Sequence, residues 1–389
     1  MLSFDLGKEE FKELASGISQ PGFIQLLARI DSITCSPLEL YRILRDSGTS
    51  GYSYLLESVE KQASRARYSF VGNDPDAVIE IKDRKISLEL LNSDALPFFE
   101  EVRSKIKEVC GPETVEGNPK TENSKLKNVK LTAPIPRGKD AFDALRLVFP
   151  PANGKGLLNA QRFDRQTFLG GAIGYTAYDA IYDSWLGFEK SFESGIPELQ
   201  YLLVSKTFLF DHLTEEIYIV ITSFVNPGLN AGEIYDKYEK ALLEAEKLFS
   251  ILKKAAVSGN SIEAEAASSA SSTSRTQSAP GASMLSGPVA LNCTIGKQKF
   301  EESVIQAKEH IFAGDIFQAV ISRKFEFRIE QSPFELYMQL RAINPSPYMY
   351  IFEFGDLAIV GASPETLLTV HKRTVIINPI AGTCPRGKS

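Results

Sequence analysis

The stretch SPFELYMQLRAINPSPYMYIFEFGDLAIVGASPETLLTVHKRTVII, residues 332–377, decides the fold class. It opens with a capping box, because Ser332 stands three residues before Glu335, and Pro333 takes the first helical position. This pattern predicts a helix that ends before Pro345. The apolar runs that follow alternate with Gly-Asp and Lys-Arg turns, which is typical of an antiparallel sheet. Helices and strands without regular βαβα alternation predict an α+β fold.

A second copy of the helix-start pattern lies near the beginning of the chain. SPLELYRILRD from Ser36 and SPFELYMQLRA from Ser332 share S-P-x-E-L-Y-x-x-L-R. One interpretation is convergence on favourable helix-start chemistry. The other is that both helices hold the segments that follow them, GYSYLLESVE and INPSPYMYIF, in equivalent positions.

Other patterns predict further helices and strands. Apolar residues at steps of three and four indicate a long helix within residues 231–254 and another at residues 300–311, which ends at the C-cap Gly314. Two β-rich runs around a polar turn predict a hairpin at residues 206–224. The run IFQAVISRKFEF, residues 316–327, predicts a strand.

A Ser- and Ala-rich stretch divides the sequence. Residues 255–288 contain almost no large apolar side chains, so they cannot bury enough surface to offset the entropy of ordering. We therefore expect an N-terminal region at residues 1–254, a flexible linker or insertion at 255–288, and a further region at 289–389.

Composition excludes several classes of function. A net charge of -6 without a basic stripe argues against a nucleic-acid partner. No stretch approaches 18 uninterrupted apolar residues, so no membrane span is predicted. The four cysteines and three histidines show no metal-site or disulfide spacing. These features favour a cytoplasmic enzyme or binding protein.

A series of short motifs in order resembles the chorismate-utilising enzymes, most closely the anthranilate synthase component I family. The motifs are LLESVE, RYSFVG, GGAIGYTAYD, FLFDH, GDIFQAVISRKF, NPSPYMYIFEF, VGASPETLL and NPIAGTCPRG. The resemblance implies two antiparallel sheets packed face to face with helices outside. It also implies the conversion of chorismate and ammonia to anthranilate and pyruvate, the first step of tryptophan biosynthesis. Mg²⁺ is the implied cofactor, since a hard cation suits a substrate rich in carboxylate oxygens.

Two positions indicate which reaction of this family applies. In water-adding relatives a lysine general base occupies the position of Gln318, and an amide cannot take a proton from water. Gln318 therefore suits ammonia, which is already basic. Aminodeoxychorismate synthases commonly carry a nucleophilic lysine where this chain has Ala381. Both residues favour direct amination to anthranilate, although a small residue needed for packing would also explain Ala381.

The resemblance assigns further site residues. Gly382 and Thr383 match chorismate-contacting positions, where glycine lets the backbone approach and a hydroxyl can bond a carboxylate. Glu365 matches the general acid that protonates the departing ring hydroxyl, although a Glu after Pro also suits the first turn of a helix.

A feedback site for L-tryptophan is also implied. Ser58, Pro347, Tyr348 and Met349 match the residues that touch this inhibitor, although Tyr348 and Met349 would also suit a core. We hypothesise that the two similarly capped helices position the two walls of this pocket.

The sequence departs from the family in two places. The family usually has Arg where this chain has Cys384, which removes a guanidinium near the substrate. The family's Mg²⁺ carboxylates and active-site histidine fall in a C-terminal part that we expect beyond Ser389. We therefore expect no metal ligands within this sequence, and we interpret the 389 residues as an inactive fragment of a longer enzyme.

The source of ammonia and the identity of the product leave alternatives. No cysteine has the G-x-C-x-G context of a glutamine amidotransferase, so the resemblance implies a separate amidotransferase subunit as partner. One alternative function is aminodeoxychorismate synthase component I. Another is a noncatalytic tryptophan-binding regulatory protein.

Overall fold

The computed structural model describes residues 2–31, 33–59, 67–117, 129–149, 156–159, 163, 167–187, 195–270, 291–371 and 373–378. The described residues form seven α-helices. These are α1 (Lys8–Ala15), α2 (Pro37–Ser47), α3 (Leu96–Cys110), α4 (Ala141–Arg146), α5 (Ala231–Ala270), α6 (Lys297–Ala313) and α7 (Pro333–Ile343).

Eight antiparallel strands form the larger sheet, called sheet one. With strands numbered in chain order, it contains β1 (Leu2–Phe4), β2 (Gly22–Ile30), β3 (Tyr52–Glu57), β4 (Tyr68–Asn73), β11 (Lys206–Asp211), β12 (Glu216–Val225), β15 (Tyr348–Phe354) and β16 (Leu357–Ser363). Their spatial order is β1-β2-β12-β11-β4-β3-β15-β16. The strands on either side of the Ser/Ala-rich stretch therefore share one sheet.

Six antiparallel strands form sheet two. It contains β5 (Ala77–Lys82), β6 (Lys85–Leu90), β7 (Thr114–Glu116), β8 (Val129–Pro134), β9 (Gly171–Thr176) and β10 (Leu199–Val204). The spatial order is β7-β8-β6-β5-β10-β9. Two small ribbons complete the strands, one from β13 (Asn292–Cys293) with β14 (Phe325–Glu326) and one from β17 (Thr369–His371) with β18 (Thr374–Ile376).

The two sheets pack face to face. Tyr54 and Phe352 of sheet one meet Val78 and Leu202 of sheet two in one buried cluster. On its other face, sheet one is covered by α1, α2, α5 and α7, while α3 and α4 cover sheet two. Alternate residues of each strand therefore serve the inter-sheet and the helical layers. The predicted α+β fold of face-packed antiparallel sheets with helices outside is confirmed.

The local predictions were right for the capped helices. Ser36 and Ser332 each accept a hydrogen bond from the backbone N–H three residues later, while Glu39 and Glu335 bond back to the cap. Gly314 adopts a left-handed conformation with φ 84° after α6. The hairpin at residues 206–224 is formed by β11 and β12.

Two stretches differ from the sequence interpretation. The strand predicted at residues 316–327 is wrong, because only Phe325 and Glu326 are in a strand. The ladder with the two-residue strand β13 is confined to these two positions, and most of residues 316–324 are exposed. Helix α5 runs to Ala270, so residues 255–270 of the expected linker are helical. The proposed division into regions stays a prediction.

Helices that could cross a membrane were sought in the described part of the chain. None of its helices combines the necessary length with the necessary apolar character.

Candidate functional site

The central feature of the candidate site is the pairing of β3 with β15. Glu57 lies opposite Met349, and Glu353 lies opposite Ser53. These two strands come from distant parts of the sequence, and each directly follows one of the similarly capped helices. The site is therefore built where the N-terminal and C-terminal parts of the described chain meet.

Glu57, the last residue of β3, is held by α7. The Tyr337 hydroxyl donates to Glu57 Oε1 at 2.5 Å, and Arg341 Nε donates to the same oxygen at 2.6 Å. Arg341 Nη2 reaches Glu57 Oε2 at 3.3 Å. Glu57 is only 5% exposed, and a buried carboxylate needs such partners to remain in place. Burial raises the pKa of Tyr337 above its ordinary value, and the neighbouring Glu57 raises it further, so this hydroxyl is a donor.

The predicted inhibitor residues lie together beside Glu57. Ser58 follows Glu57 directly, and the next backbone N–H, of Val59, donates to the Ser346 carbonyl at 3.4 Å. Pro347 and Met349 are buried just beyond that contact. The Tyr348 hydroxyl accepts a hydrogen bond from Thr366 Oγ1 at 2.7 Å. The structure thus brings the N-terminal and C-terminal halves of the predicted pocket together, while its ligand stays a prediction.

A second polar group supports Ser58 from β4. The Ser58 backbone N–H donates to Ser69 Oγ at 3.3 Å, and Ser69 Oγ lies 2.6 Å from His212 Nε2. Burial lowers the pKa of His212, although Glu57 and Asp211 act in the opposite direction. His212 therefore favours the neutral form, in which Nε2 and the Ser69 hydroxyl can share one proton.

The two capped helices, which were expected to position the two walls of the pocket, each contact the strand that follows the other helix. Helix α7 contacts Glu57 in β3, whereas α2 contacts Glu353 in β15, through Tyr41 and Arg45. Each helix therefore holds the strand that follows the other helix. Of the two, α7 reaches the predicted pocket, because its partner Glu57 precedes Ser58.

The two predicted catalytic residues are not brought together. Glu365 lies just after β16, where its Oε1 is buried and has no hydrogen-bond partner among the described residues. Its backbone N–H and carbonyl both bond to Ser363 Oγ. Gln318 is exposed in the irregular segment between α6 and β14. Glu365 is therefore connected through Thr366 to Tyr348 of the predicted pocket, while Gln318 is a solvent-exposed side chain.

The remaining predicted substrate residues, Ala381, Gly382 and Thr383, lie outside the described residues, as does Cys384. Over the described ranges, no group of three or more His, Cys, Asp or Glu side chains is arranged to hold a metal ion. No chemical step is therefore assigned to a metal among the described residues, and the Mg²⁺ cofactor stays a prediction.

A cavity of about 460 Å³ lies elsewhere, lined by residues of both sheets and of α3 and α5. Its lining includes the aromatic rings of Phe23, Phe98 and Phe224 and the charged groups of Asp76 and Lys237. None of the predicted site residues that the structure describes lines this cavity. The cavity and the β3–β15 junction are therefore separate places in the fold.

Sequence reasoning did not identify Tyr337, Arg341 and His212 as site residues. The first two belong to the repeated pattern S-P-x-E-L-Y-x-x-L-R, whose tyrosine and arginine are the residues that reach across to the opposite strand. His212 belongs to FLFDH, a motif noted without a role. All three residues lie in motifs that are visible in the sequence, but the residues they bind become apparent only from the pairing of the strands.

Comparison with known proteins adds an independent finding. Residues 151–389 match a family model described as chorismate binding enzyme. Over its full length the chain is 33% identical to "Anthranilate synthase component 1 2" of Haloarcula marismortui and spans 64% of that protein. It is also 33% identical to "Anthranilate synthase component 1" of Haloferax volcanii, again covering all of this chain and 64% of the relative.

Among solved structures, anthranilate synthase component I from Streptococcus pneumoniae matches with a TM-score of 0.38 and 14% identity, covering 64% of this chain and 59% of that chain. A putative 2,3-dihydroxybenzoate-specific isochorismate synthase from Bacillus anthracis matches with a TM-score of 0.42 and 12% identity, covering 66% of this chain and 73% of that chain. These superpositions are too loose to support an argument.

Proposed function

This chain belongs to the chorismate-binding enzyme family, and from that premise we propose that it is the large component of an anthranilate synthase, or part of one. The proposed reaction converts chorismate and ammonia to anthranilate and pyruvate. One observation carries the proposal: the whole chain aligns at 33% identity with relatives named anthranilate synthase component 1. Because it spans 64% of their length, activity, substrate and partners are all part of the proposal.

The chemistry of the assigned residues supports amination. Glu365 acts as the acid that protonates the ring hydroxyl as it leaves as water, while ammonia forms the new carbon–nitrogen bond. Gln318 carries no basic group, so it does not generate hydroxide for a competing addition of water. Ala381 offers no nucleophile for a covalent intermediate. Mg²⁺ would offset the carboxylate charge of chorismate.

The same proposal includes feedback inhibition by L-tryptophan at Ser58, Pro347, Tyr348 and Met349. The proximity of these residues, at the end of β3 and the start of β15, supports a single binding site. The proposal also includes a cytoplasmic location, a place at the first step of tryptophan biosynthesis, and a separate glutamine amidotransferase subunit that supplies ammonia.

The product decides between the proposed function and aminodeoxychorismate synthesis. Protein purified from its natural source is incubated with chorismate, Mg²⁺ and ammonium, and the products are separated by chromatography. We expect fluorescent anthranilate together with one equivalent of pyruvate. Accumulation of 4-amino-4-deoxychorismate would instead favour the alternative. For the 389 residues alone we expect little or no turnover, because they span 64% of the length of the relatives named anthranilate synthase component 1.

Tryptophan binding tests the inhibitor site directly. Isothermal titration calorimetry of the 389-residue chain should show binding of one L-tryptophan, and Ser58→Arg should abolish it because the longer cationic side chain fills the pocket beside Met349. Ser47→Arg, at an exposed end of α2, is the matched control and should bind normally. Normal binding by Ser58→Arg would refute this location. Binding without turnover in the natural protein would favour a noncatalytic regulatory role.

A further inference from the structure

The similarity between the two capped helices extends into the strands that follow them. At one constant offset and without a gap, residues 36–57 match residues 332–353. The matched pairs that matter here are Tyr41 with Tyr337, Arg45 with Arg341, and Glu57 with Glu353. Each copy is a helix followed by a strand, α2–β3 and α7–β15, and the two strands pair antiparallel. The structure therefore contains a repeated unit related by an approximate two-fold axis.

The helix of each copy of the repeated unit binds the glutamate at the strand of the other copy. Tyr337 and Arg341 of the second copy bind Glu57 of the first, at 2.5 and 2.6 Å. At the opposite end, the Tyr41 hydroxyl donates to Glu353 Oε2 at 2.9 Å, and Arg45 Nε donates to both carboxylate oxygens at 2.9 and 3.0 Å. We call these the Glu57 clasp and the Glu353 clasp. Both join a helix of one copy to the strand of the other.

The two clasps differ in their immediate surroundings. The position that follows the glutamate is Ser58 in one copy and Phe354 in the other. Phe354 is only 4% exposed, its ring is stacked on Phe352 with centroids 5.6 Å apart, and it also meets Tyr175. The bulky ring therefore fills the layer between the two sheets at the end of β15, on the face opposite to the Glu353 clasp. A small polar residue stands at the same place beside the Glu57 clasp.

The strand residue opposite each glutamate also differs. Opposite Glu353 lies Ser53, whose hydroxyl donates to Glu353 Oε2 at 2.9 Å and completes that clasp. Opposite Glu57 lies Met349, which cannot donate a hydrogen bond to a carboxylate. The repeat is thus broken at Ser58 and Met349, two of the residues that the proposed tryptophan site requires.

We propose that Tyr337 and Arg341 are positioning residues of the tryptophan site, whereas the repeat-related Tyr41 and Arg45 stabilise the fold without positioning that site. The Glu57 clasp fixes the end of β3, and with it Ser58, against β15. This inference rests on the proposed inhibition by tryptophan. It assigns an influence on tryptophan affinity to residues that need not touch the ligand.

The physical reason lies in the buried carboxylate. Removing the Tyr337 hydroxyl leaves Glu57 Oε1 with one donor fewer at a position closed to bulk water, so the carboxylate reorients or attracts water. Ser58 is the next residue and moves with it. At the Glu353 clasp, the same change disturbs β15 beside Phe354, away from Ser58 and Pro347.

The repeat supplies its own control. Tyr337→Phe and Tyr41→Phe each delete one buried hydroxyl bonded to a glutamate, so we expect similar losses of thermal stability. Tryptophan affinity, measured by calorimetry on the 389-residue chain, should fall about tenfold or more for Tyr337→Phe and less than twofold for Tyr41→Phe. Arg341→Lys and Arg45→Lys, which keep the charge, should show the same contrast and serve if a tyrosine variant does not fold.

The outcomes separate the two proposals. Equal losses of affinity at both clasps, or no loss at either, would overturn the positioning role while leaving the tryptophan site intact. Absence of tryptophan binding by the unaltered, folded chain would overturn the tryptophan site and this inference together. Loss of affinity confined to the Glu57 clasp, at matched stability, is the result that we expect.

Discussion

At the scale of single residues, a buried ion pair beside the candidate site determines how the protein responds to acid. Arg67 Nε donates to Asp211 Oδ1 at 2.7 Å, and the Leu213 backbone N–H donates to the same oxygen at 3.0 Å. Burial opposes ionisation of Asp211, but these hydrogen bonds outweigh it and hold the pKa of Asp211 below its ordinary value. The pair anchors β4 to β11 next to His212.

The sign of the pH dependence follows from that depressed pKa. The stability contributed by Asp211 is present above its unfolded-state pKa of about 3.9 and is lost as the pH falls through the lower folded-state pKa. Asp211→Asn should lower the free energy of unfolding at neutral pH by about 1.5–3 kcal/mol, because it replaces charge-assisted hydrogen bonds from Arg67 by weaker neutral ones.

Urea unfolding between pH 2 and pH 7 measures this effect. The variant should lose less stability than the unaltered protein as the pH falls below about 4. Asp356→Asn, in the exposed turn after β15, is the control and should change the profile little. Parallel acid profiles for Asp211→Asn and the unaltered protein would contradict the assignment.

Residue patterns anticipated only part of the candidate site. Ser58, Pro347, Tyr348 and Met349 were identified from short motifs, and the structure places them together. Tyr337 and Arg341 were not, because their partner Glu57 is distant in sequence and no local pattern specifies which carboxylate a helix will meet. Gln318 and Glu365 were also identified from motifs, and the described structure does not join them.

At the scale of elements, the repeated unit continues into two similar hairpins. In the β3–β4 hairpin, Gly72 lies opposite Tyr54, and in the β15–β16 hairpin, Gly361 lies opposite Tyr350. A Cβ atom at either glycine would overlap the ring of the facing tyrosine. In both hairpins the tyrosine ring therefore covers the glycine, which is a close approach that only glycine permits.

The two glycines should differ in their tolerance of alanine. Tyr54 is fully buried and its hydroxyl donates to Thr207 Oγ1 at 2.8 Å, so its ring cannot move aside. Gly72→Ala should therefore cost about 1–3 kcal/mol of stability, as expected for overpacking. Tyr350 is partly exposed, and Gly361→Ala should cost less.

Thermal unfolding followed by circular dichroism compares the two variants. The rank order is the decisive result: a Gly361→Ala variant that is less stable than Gly72→Ala would show that the burial of the facing tyrosine does not control the cost. Tyr54→Phe combined with Gly72→Ala tests the same point, because loss of the hydroxyl removes the anchor and should recover part of the stability.

Elements with local signals were predicted well, and those that depend on distant partners were not. The capping boxes of α2 and α7 and the glycine after α6 are encoded within a few residues. The strand predicted at residues 316–327 had suitable composition. Strand formation also needs a neighbour, and the short strand β13 pairs only with the end of this stretch, at Phe325 and Glu326.

At the scale of the whole molecule, apolar exposure is concentrated in one part of the chain. Phe312, Phe317 and Val320 are at least 81% exposed, and they belong to α6 and the irregular segment after it. Residues of β2, β11 and β12 are by contrast largely buried between the two sheets or under helices. An exposed apolar group of this kind promotes association with other apolar surfaces.

Dye binding and light scattering test whether these exposed apolar side chains promote association. Replacing Phe317 and Val320 together by serine should reduce the fluorescence of an apolar dye and the tendency to aggregate. The melting temperature should change little, because neither side chain is buried. Leu213→Ser, at an exposed turn residue between β11 and β12, is the control and should leave dye binding unchanged. A large fall in melting temperature for the double variant would contradict the observed exposure.

Composition and periodicity were sufficient to predict an α+β fold but not the order of its strands. Each strand carries apolar residues for the layer on either side, whichever neighbour it has. The position of β15 between β3 and β16 depends on contacts between segments far apart in the sequence. That placement is what creates the candidate site.

The same placement has a consequence for protein synthesis. One edge of β3 is completed by β4, but the other is completed only when β15 has left the ribosome. At about 5–20 residues per second, the intervening segment takes roughly 15–60 s to translate. During that time the nascent chain presents one unpaired edge of a strand whose side chains are mostly buried in the finished fold, which is a template for misassembly. We therefore expect the growing polypeptide to be a client of ribosome-associated chaperones until residue 354 has emerged.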